Sequence, residues 1–125
     1  MGFLKYDATE RYDIILMLNV LDRCGDAQKM IEKHLPHLTN DGYMIISMPF
    51  PIDARHGNGI QNIKQKLFSQ KKDIAFETGA SEFYESYLKR YFHIVSFSRM
   101  PYILRNPEMG KITVFDNAVF VCKKK

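Results

Sequence analysis

The sequence predicts an α/β fold in which a parallel pair of strands is followed by an antiparallel hairpin, with helices flanking the sheet. Two apolar runs, residues 13–18 and 43–50, enclose one segment with helical spacing, which is the pattern of a β-α-β unit. Two further strand-like runs near the carboxyl end are separated by a short turn, which favours antiparallel pairing. The length of 125 residues fits one domain or part of one, and the 46% hydrophobic content argues against general disorder.

The first unit begins with residues 13–18, an acid followed by an unbroken apolar run, which predicts a strand buried on both faces. A helix is expected from about Asp26, whose side chain can accept from the free N–H groups of the first turn. The apolar positions with helical spacing, which would face the sheet, are Ala27, Met30, Ile31 and Leu35. Pro36 predicts that the helix ends or kinks near Leu35.

A turn and a second strand complete this unit. Thr39–Tyr43, with the sequence TNDGY, has the composition of a turn in which Gly42 can take a positive φ. Tyr43–Phe50 (YMIISMPF) reads as a strand that is apolar on both faces until Pro49 ends it.

The second half contains a long polar segment, a helix and the hairpin. Residues 51–73 are polar and only weakly periodic, which predicts a long loop or lid. Ser81 is expected to cap a helix whose apolar positions are Phe83, Tyr84, Tyr87 and Leu88. The predicted hairpin strands are residues 93–102 and 112–125, joined by a turn at residues 105–111.

The net charge and the cysteine content limit the partners, the compartment and the metal sites that we expect. The net charge of +4 comes largely from lysines in predicted loops and at the carboxyl terminus, where they favour solubility, so we predict no nucleic-acid partner. No window is apolar enough to span a membrane. Cys24 and Cys122 are too few for a zinc ribbon and are interpreted as free thiols in a reducing compartment, with the cytoplasm favoured. His34 and His37 lack a third ligand nearby, so no metal site is predicted.

Polar residues follow the first predicted strand directly. Asn19, Asp22 and Arg23 come just past its end, and Pro49 and Phe50 close the second strand. Ligands of open α/β sheets bind outside the carboxyl ends of parallel strands, so these residues predict a site. The alternative is that Asn19 and Asp22 are turn residues and that Arg23 is a surface charge. Spacing alone does not decide between a site and this alternative.

Several motifs together resemble those of one family, the DREV-type methyltransferases, which are protein-histidine pros-methyltransferases. The segment "YDIILMLNVLDRC" (residues 12–24) is similar to the family's L-N-x-L-D-R-C after its fourth strand, and "MPFP" (residues 48–51) is similar to its LPF-x-P. The family's R-x-P-Y and D-[DN]-A-V-F-V match residues 99–102 and 116–121. The likeness runs, with gaps, over nearly the whole chain.

The resemblance implies a class I, Rossmann-like methyltransferase that uses S-adenosylmethionine to methylate a histidine ring nitrogen in proteins with His-x-His motifs. It implies catalytic roles for Asn19 and Asp22 in holding the acceptor imidazole, and cofactor contacts from Leu18 and Asn19. The residues it implies for substrate binding are Arg23, Pro49, Phe50, Arg99 and Tyr102. This chain departs from the family at Ile112 and Thr113, where the family places tyrosines.

The glycine-rich cofactor turn of such enzymes has no counterpart here. "HGNGI" (residues 56–60) follows no predicted strand and opens no helix. We therefore expect residues 1–125 to be the carboxyl-terminal part of a methyltransferase domain, with an incomplete cofactor site. The alternative is a non-catalytic interaction module derived from this fold. In either case an exposed sheet edge predicts homodimerisation or another partner.

Overall fold

The computed structural model describes residues 10–21, 24–50, 72–106 and 110–125, without the side chains of 72–75, 104–106 and 111–115. Its elements are β1 (Tyr12–Leu18), α1 (Ala27–His34), β2 (Leu38–Phe50), α2 (Lys72–Phe83), β3 (Phe92–Asn106) and β4 (Lys111–Lys124). A 3₁₀ turn, Leu35–His37, follows α1, and a π-helical turn, Tyr84–Leu88, follows α2. These strands form one sheet in the order β1-β2-β4-β3. β1 and β2 are parallel and the other pairs are antiparallel, so the predicted fold class is confirmed.

Helix α1 begins and ends where the sequence predicts. Asp26 is extended, and its Oδ1 accepts from the Lys29 backbone N–H at 3.1 Å. Ala27, Met30 and Ile31 are buried against the sheet. Pro36 lies in the 3₁₀ turn near the start of its helical residues, where its missing N–H costs no α-helical hydrogen bond.

The predicted turn at Thr39–Tyr43 is wrong, because β2 already begins at Leu38. The register between β1 and β2 is irregular here, because Tyr12 pairs with Leu38 and Ile14 pairs with Tyr43. Residues 39–42 lie between these two pairs. Gly42 does not have a positive φ. It is needed for a close approach instead, since a Cβ there would lie 2.9 Å from the Asp13 carbonyl oxygen.

Strand β1 is covered on only one face by the described residues, contrary to the prediction of burial on both. Met17 is buried, whereas Ile14, Leu16 and Leu18 on the opposite face are 58%, 57% and 54% exposed. The buried core contains residues of both helices together with Met17, so the helices lie on the same face of the sheet. The opposite face of β1 is apolar and open in the described part of the chain.

Helix α2 starts well before Ser81, so the predicted cap is wrong. The predicted loop or lid at residues 51–73 overlaps α2 at its last two positions, and residues 51–71 lie outside the described residues. Phe83 and Tyr87 stack with ring centroids 5.4 Å apart, and Phe83 also contacts Phe120 at 5.7 Å. Core packing is therefore the role of these aromatic residues.

The first hairpin strand is longer than predicted, and the second is shifted by one residue. β3 continues to Asn106 and β4 begins at Lys111, so residues 107–110 separate them, of which 107–109 lie outside the described residues. Gly110 has φ +60°, which glycine adopts without the steric penalty of a side chain. No helix in the described ranges is long and apolar enough to cross a membrane.

Candidate functional site

The carboxyl ends of β1 and β2 meet at one edge of the sheet, because the two strands are parallel and Leu18 pairs with Ser47. Asn19 follows β1 directly and has φ 54°, an unusual conformation that asparagine tolerates better than most residues. Leu18 beside it is exposed. An aliphatic side chain and an amide thus stand together at this edge.

Ser47 holds Asn19 in place through three hydrogen bonds. The Asn19 backbone N–H donates to the Ser47 carbonyl oxygen at 3.1 Å and to its hydroxyl Oγ at 3.0 Å. The same hydroxyl donates to Asn19 Oδ1 at 3.0 Å. Ser47 is only 4% exposed, so this contact fastens the first residue after β1 to the interior of β2.

Asp22 and Arg23, the other predicted residues of this edge, lie outside the described residues. The residues on either side of them are anchored. Leu21 is fully buried, and the Cys24 backbone N–H donates to the Val20 carbonyl oxygen at 3.1 Å. Cys24 Sγ also donates to the Leu21 carbonyl oxygen at 3.3 Å, and the partly buried side chain packs against the core.

Pro49 and Phe50, predicted to bind substrate, are both buried at the end of β2. The Phe50 ring packs edge-on against Phe76, with centroids 6.3 Å apart, and against Phe83 at 6.2 Å. It also lies so close to Gly79 that a Cβ there would be 2.4 Å from Phe50 Cδ1. Phe50 therefore packs against α2 at the end of β2. Substrate contact by Pro49 or Phe50 stays a prediction.

Arg99, another predicted substrate-binding residue, joins the two carboxyl-terminal motifs. Its Nη2 lies 2.6 Å from Asp116 Oδ2, and Asp116 is 9% exposed. The guanidinium also lies over the Phe76 ring, 4.5 Å from the centroid. Arg99 thus has its charge paired within the chain. Tyr102, three positions further along β3, is partly buried and pairs in register with Phe115.

Sequence reasoning missed two polar residues near this edge. Ser47 stands inside an apolar strand, and its role depends on Asn19, 28 positions away. Asn117, paired in register with Pro49, has a buried Oδ1 that accepts no hydrogen bond from the described residues. The unusual presence of a hydroxyl in an apolar strand was the available signal for Ser47, since buried polar groups need partners.

The histidines and cysteines form no metal site within the part of the chain that the structure describes. His34 is buried, and its Nδ1 lies 2.9 Å from the Met30 carbonyl oxygen. His37 Nδ1 instead lies 3.1 Å from the Glu10 carbonyl oxygen. Cys24 and Cys122 are both free thiols.

Comparison with known proteins identifies the fold and the family. The family model described as DREV methyltransferase matches residues 1–124. TehB from Haemophilus influenzae is similar in structure, with a TM-score of 0.57 and 14% identity, over 100% of this chain and 40% of that one. The N-methyltransferase NodS from Bradyrhizobium japonicum WM9 is also similar, with a TM-score of 0.52 and 13% identity, over 98% of this chain and 57% of that one. The chain therefore spans less than two thirds of either structure.

Proposed function

Since the chain belongs to the DREV methyltransferase family, we propose that its polar sheet edge holds a histidine side chain of a protein substrate while one ring nitrogen is methylated. The observation that carries this proposal is the fixed position of Asn19 at the edge. Asp22 follows it by three residues in the sequence, in the segment that resembles the family's L-N-x-L-D-R-C. The substrates we propose are proteins with His-x-His motifs.

The chemistry requires a neutral imidazole with one bare nitrogen. Free histidine has a pKa of about 6.5, so the neutral form is abundant near pH 7. In our proposal the Asp22 carboxylate accepts from one ring N–H, which selects the tautomer and leaves the other nitrogen free to attack. The same carboxylate stabilises the positive charge that the ring gains. Alignment of this kind contributes up to about 7–11 kcal/mol in favourable systems.

The proposed methyl donor is S-adenosylmethionine, which supplies a methyl group on a positively charged sulfur when it is bound. The residues proposed to contact it are Leu18, whose side chain is half exposed, and Asn19, which is partly exposed. The apolar side chain of Leu18 suits contact with the ring system of the methyl donor, and the Asn19 amide suits contact with its polar groups. Arg23, Arg99 and Tyr102 remain proposed contacts for the protein substrate.

A methylation assay tests this function. The chain is incubated with radiolabelled S-adenosylmethionine and a His-x-His peptide, alone and together with the amino-terminal part of a DREV methyltransferase domain. We expect label in the His-x-His peptide and none in the peptide with both histidines replaced by glutamine. Equal labelling of the two peptides, or no labelling in either preparation, would contradict the proposal.

The open apolar face of β1 favours a second candidate function. In this candidate the chain is a non-catalytic module that associates through β1, whose outer side is unpaired among the described strands. Ile14, Leu16 and Leu18 present three large aliphatic side chains there. β1 pairs only with β2 among the described strands, and an unpaired edge invites strand addition. Light scattering that shows a stable dimer, together with no methyl transfer in either preparation, would favour this candidate over the enzyme.

A further inference from the structure

Ser47 controls which end of the Asn19 amide is available to a ligand. The Ser47 hydroxyl has one hydrogen to donate and accepts from the Asn19 backbone N–H at 3.0 Å. Its single hydrogen therefore goes to Asn19 Oδ1, also at 3.0 Å. With the amide reversed, the hydroxyl would face two donors and leave its own hydrogen without this acceptor. The orientation with Oδ1 toward Ser47 is thus the favoured one.

This orientation leaves the Asn19 NH₂ group as the donor that faces away from Ser47. In the described part of the chain Nδ2 makes no hydrogen bond, and Asn19 is partly exposed at the sheet edge. The backbone of Asn19 is held as well, because its N–H donates to the Ser47 carbonyl oxygen and hydroxyl. Asn19 is therefore a preorganised hydrogen-bond donor.

A donor at this place cannot serve the nucleophilic nitrogen of an imidazole. A hydrogen bond to that nitrogen would occupy the lone pair that must attack the methyl group. The NH₂ group instead suits an oxygen acceptor, either a main-chain carbonyl of the bound peptide or the amino-acid carboxylate of the methyl donor. Both are strong acceptors, and both lie close to the reacting atoms in any complex in which the methyl group meets a histidine.

We infer that Ser47 is a positioning residue, which locks Asn19 as a donor to a carbonyl or carboxylate oxygen of the ligand. This inference rests on the proposed function for its ligand, but the locking itself is a property of the chain. It also changes the expected role of Asn19, from a contact of the acceptor ring to a contact that fixes the backbone or the methyl donor beside it.

Matched variants at Ser47 test the locking directly. Ser47→Thr keeps the hydroxyl, and Ser47→Val has nearly the same shape as threonine without it. NMR relaxation of the Asn19 side-chain NH₂ group, identified by its disappearance in Asn19→Asp, should show an ordered amide in the wild type and in Ser47→Thr. In Ser47→Val the group should become mobile. An equally ordered NH₂ group in Ser47→Val would overturn the inference.

Kinetics with the preparation that transfers methyl groups tests whether Asn19 contacts the ligand. It also distinguishes a peptide carbonyl oxygen from the carboxylate of S-adenosylmethionine as the acceptor. One neutral hydrogen bond corresponds to roughly a 3- to 10-fold change in an equilibrium constant. We expect Ser47→Val to raise KM by about this factor, with kcat nearly unchanged. Ser47→Thr should keep the wild-type KM. A rise for the peptide alone indicates the main-chain carbonyl, and a rise for S-adenosylmethionine alone indicates the carboxylate.

A purely structural role would give a different result. Ser47→Val would then lower the melting temperature while both KM values stayed at the wild-type level, and this outcome would overturn the ligand contact. If no preparation transfers methyl groups to histidine, the proposed function fails, and the NMR comparison still decides whether Ser47 orders Asn19.

Discussion

Tyr91 and Glu32 form a side-chain hydrogen bond across 59 positions of sequence, which ties α1 to the start of β3. The Tyr91 hydroxyl donates to Glu32 Oε1, and Gln28 Nε2 donates to the same oxygen at 3.0 Å. These two bonds lower the pKa of Glu32 below 4.5, and the bond from Tyr91 has the larger effect. A lowered pKa in the folded state means that the contact stabilises the fold above about pH 4.5 and that this contribution is lost as the pH falls through the folded-state pKa.

Removing the hydroxyl should therefore raise the pKa of Glu32. In Tyr91→Phe we expect the pKa to move up toward 4.5, measured by NMR titration of the Glu32 carboxyl carbon. Gln28→Ala is the control and should give a smaller rise, because the bond from Gln28 lowers the pKa less than the bond from Tyr91 does. A larger rise in Gln28→Ala than in Tyr91→Phe would contradict this ordering.

Cys122 illustrates how burial controls a thiol. Its side chain is fully buried in β4, and burial raises its pKa to about 12. The thiolate is the reactive form, so we expect Cys122 to resist iodoacetamide near pH 8 until the chain unfolds. Mass spectrometry of the alkylated peptides, with and without denaturant, measures this protection. Cys24, which is partly exposed, serves as the comparison in the same sample. Labelling of Cys122 at the same rate in both conditions would show that the thiol is accessible.

At the scale of elements, the contact between α2 and the end of β2 depends on Gly79. An alanine in a helix interior normally gains about 0.5–1 kcal/mol over glycine. Here the added Cβ would lie 2.4 Å from Phe50 Cδ1, and the Phe50 ring is held by Phe76 and Phe83. We therefore expect Gly79→Ala to lower the free energy of unfolding, by about 1–3 kcal/mol, as overpacking does.

Gly25→Ala is the matched control for this prediction. Apart from Gly25 and its two neighbours in the chain, no atom of the described residues lies within 4 Å of the place that a Cβ would take, so this change should leave stability nearly unchanged. Denaturant titrations of both variants measure the difference. An increase in stability for Gly79→Ala would mean that α2 can withdraw from Phe50 without loss.

The elements that the sequence predicts correctly are those defined by short-range chemistry. Asp26 caps α1 through the backbone N–H of Lys29, only three positions away in the sequence. The antiparallel hairpin follows from two strands joined by a short connection. By contrast, Ser81 has the chemistry of a cap but lies inside α2, because the helix starts upstream in residues without a clear apolar period.

Other features are not predictable because they depend on residues far apart. The TNDG segment has turn composition, yet it lies within β2, where the register with β1 shifts between the pairs Tyr12–Leu38 and Ile14–Tyr43. The bond between Ser47 and Asn19 exists only after the two strands align. The apolar run of β1 predicts a strand, but periodicity cannot say whether a given apolar face is covered.

At the scale of the whole molecule, the open face of β1 predicts association. Leu16 is 57% exposed on this face, so replacing it with lysine should cost the isolated chain at most about 0.5 kcal/mol. If another polypeptide or a second copy covers the face, Leu16→Lys should weaken that association strongly, because the charge would be buried without a partner. Analytical ultracentrifugation measures the change.

Val95→Lys provides the control for association. Val95 is also 57% exposed, but it lies on β3 at the opposite edge of the sheet. We expect this variant to associate as the wild type does. Equal weakening in the two variants would show that β1 is not the interface.

The most direct test of the whole account is methyl transfer to a His-x-His peptide by the wild type and by Asp22→Asn, with the modified atom identified by mass spectrometry and NMR. We predict that the wild-type preparation places one methyl group on the pros nitrogen of histidine. Loss of the orienting carboxylate should reduce kcat/KM about 100-fold, the scale expected when a reacting group is misplaced. Methylation of another residue, or an Asp22→Asn variant as active as the wild type, would contradict the account.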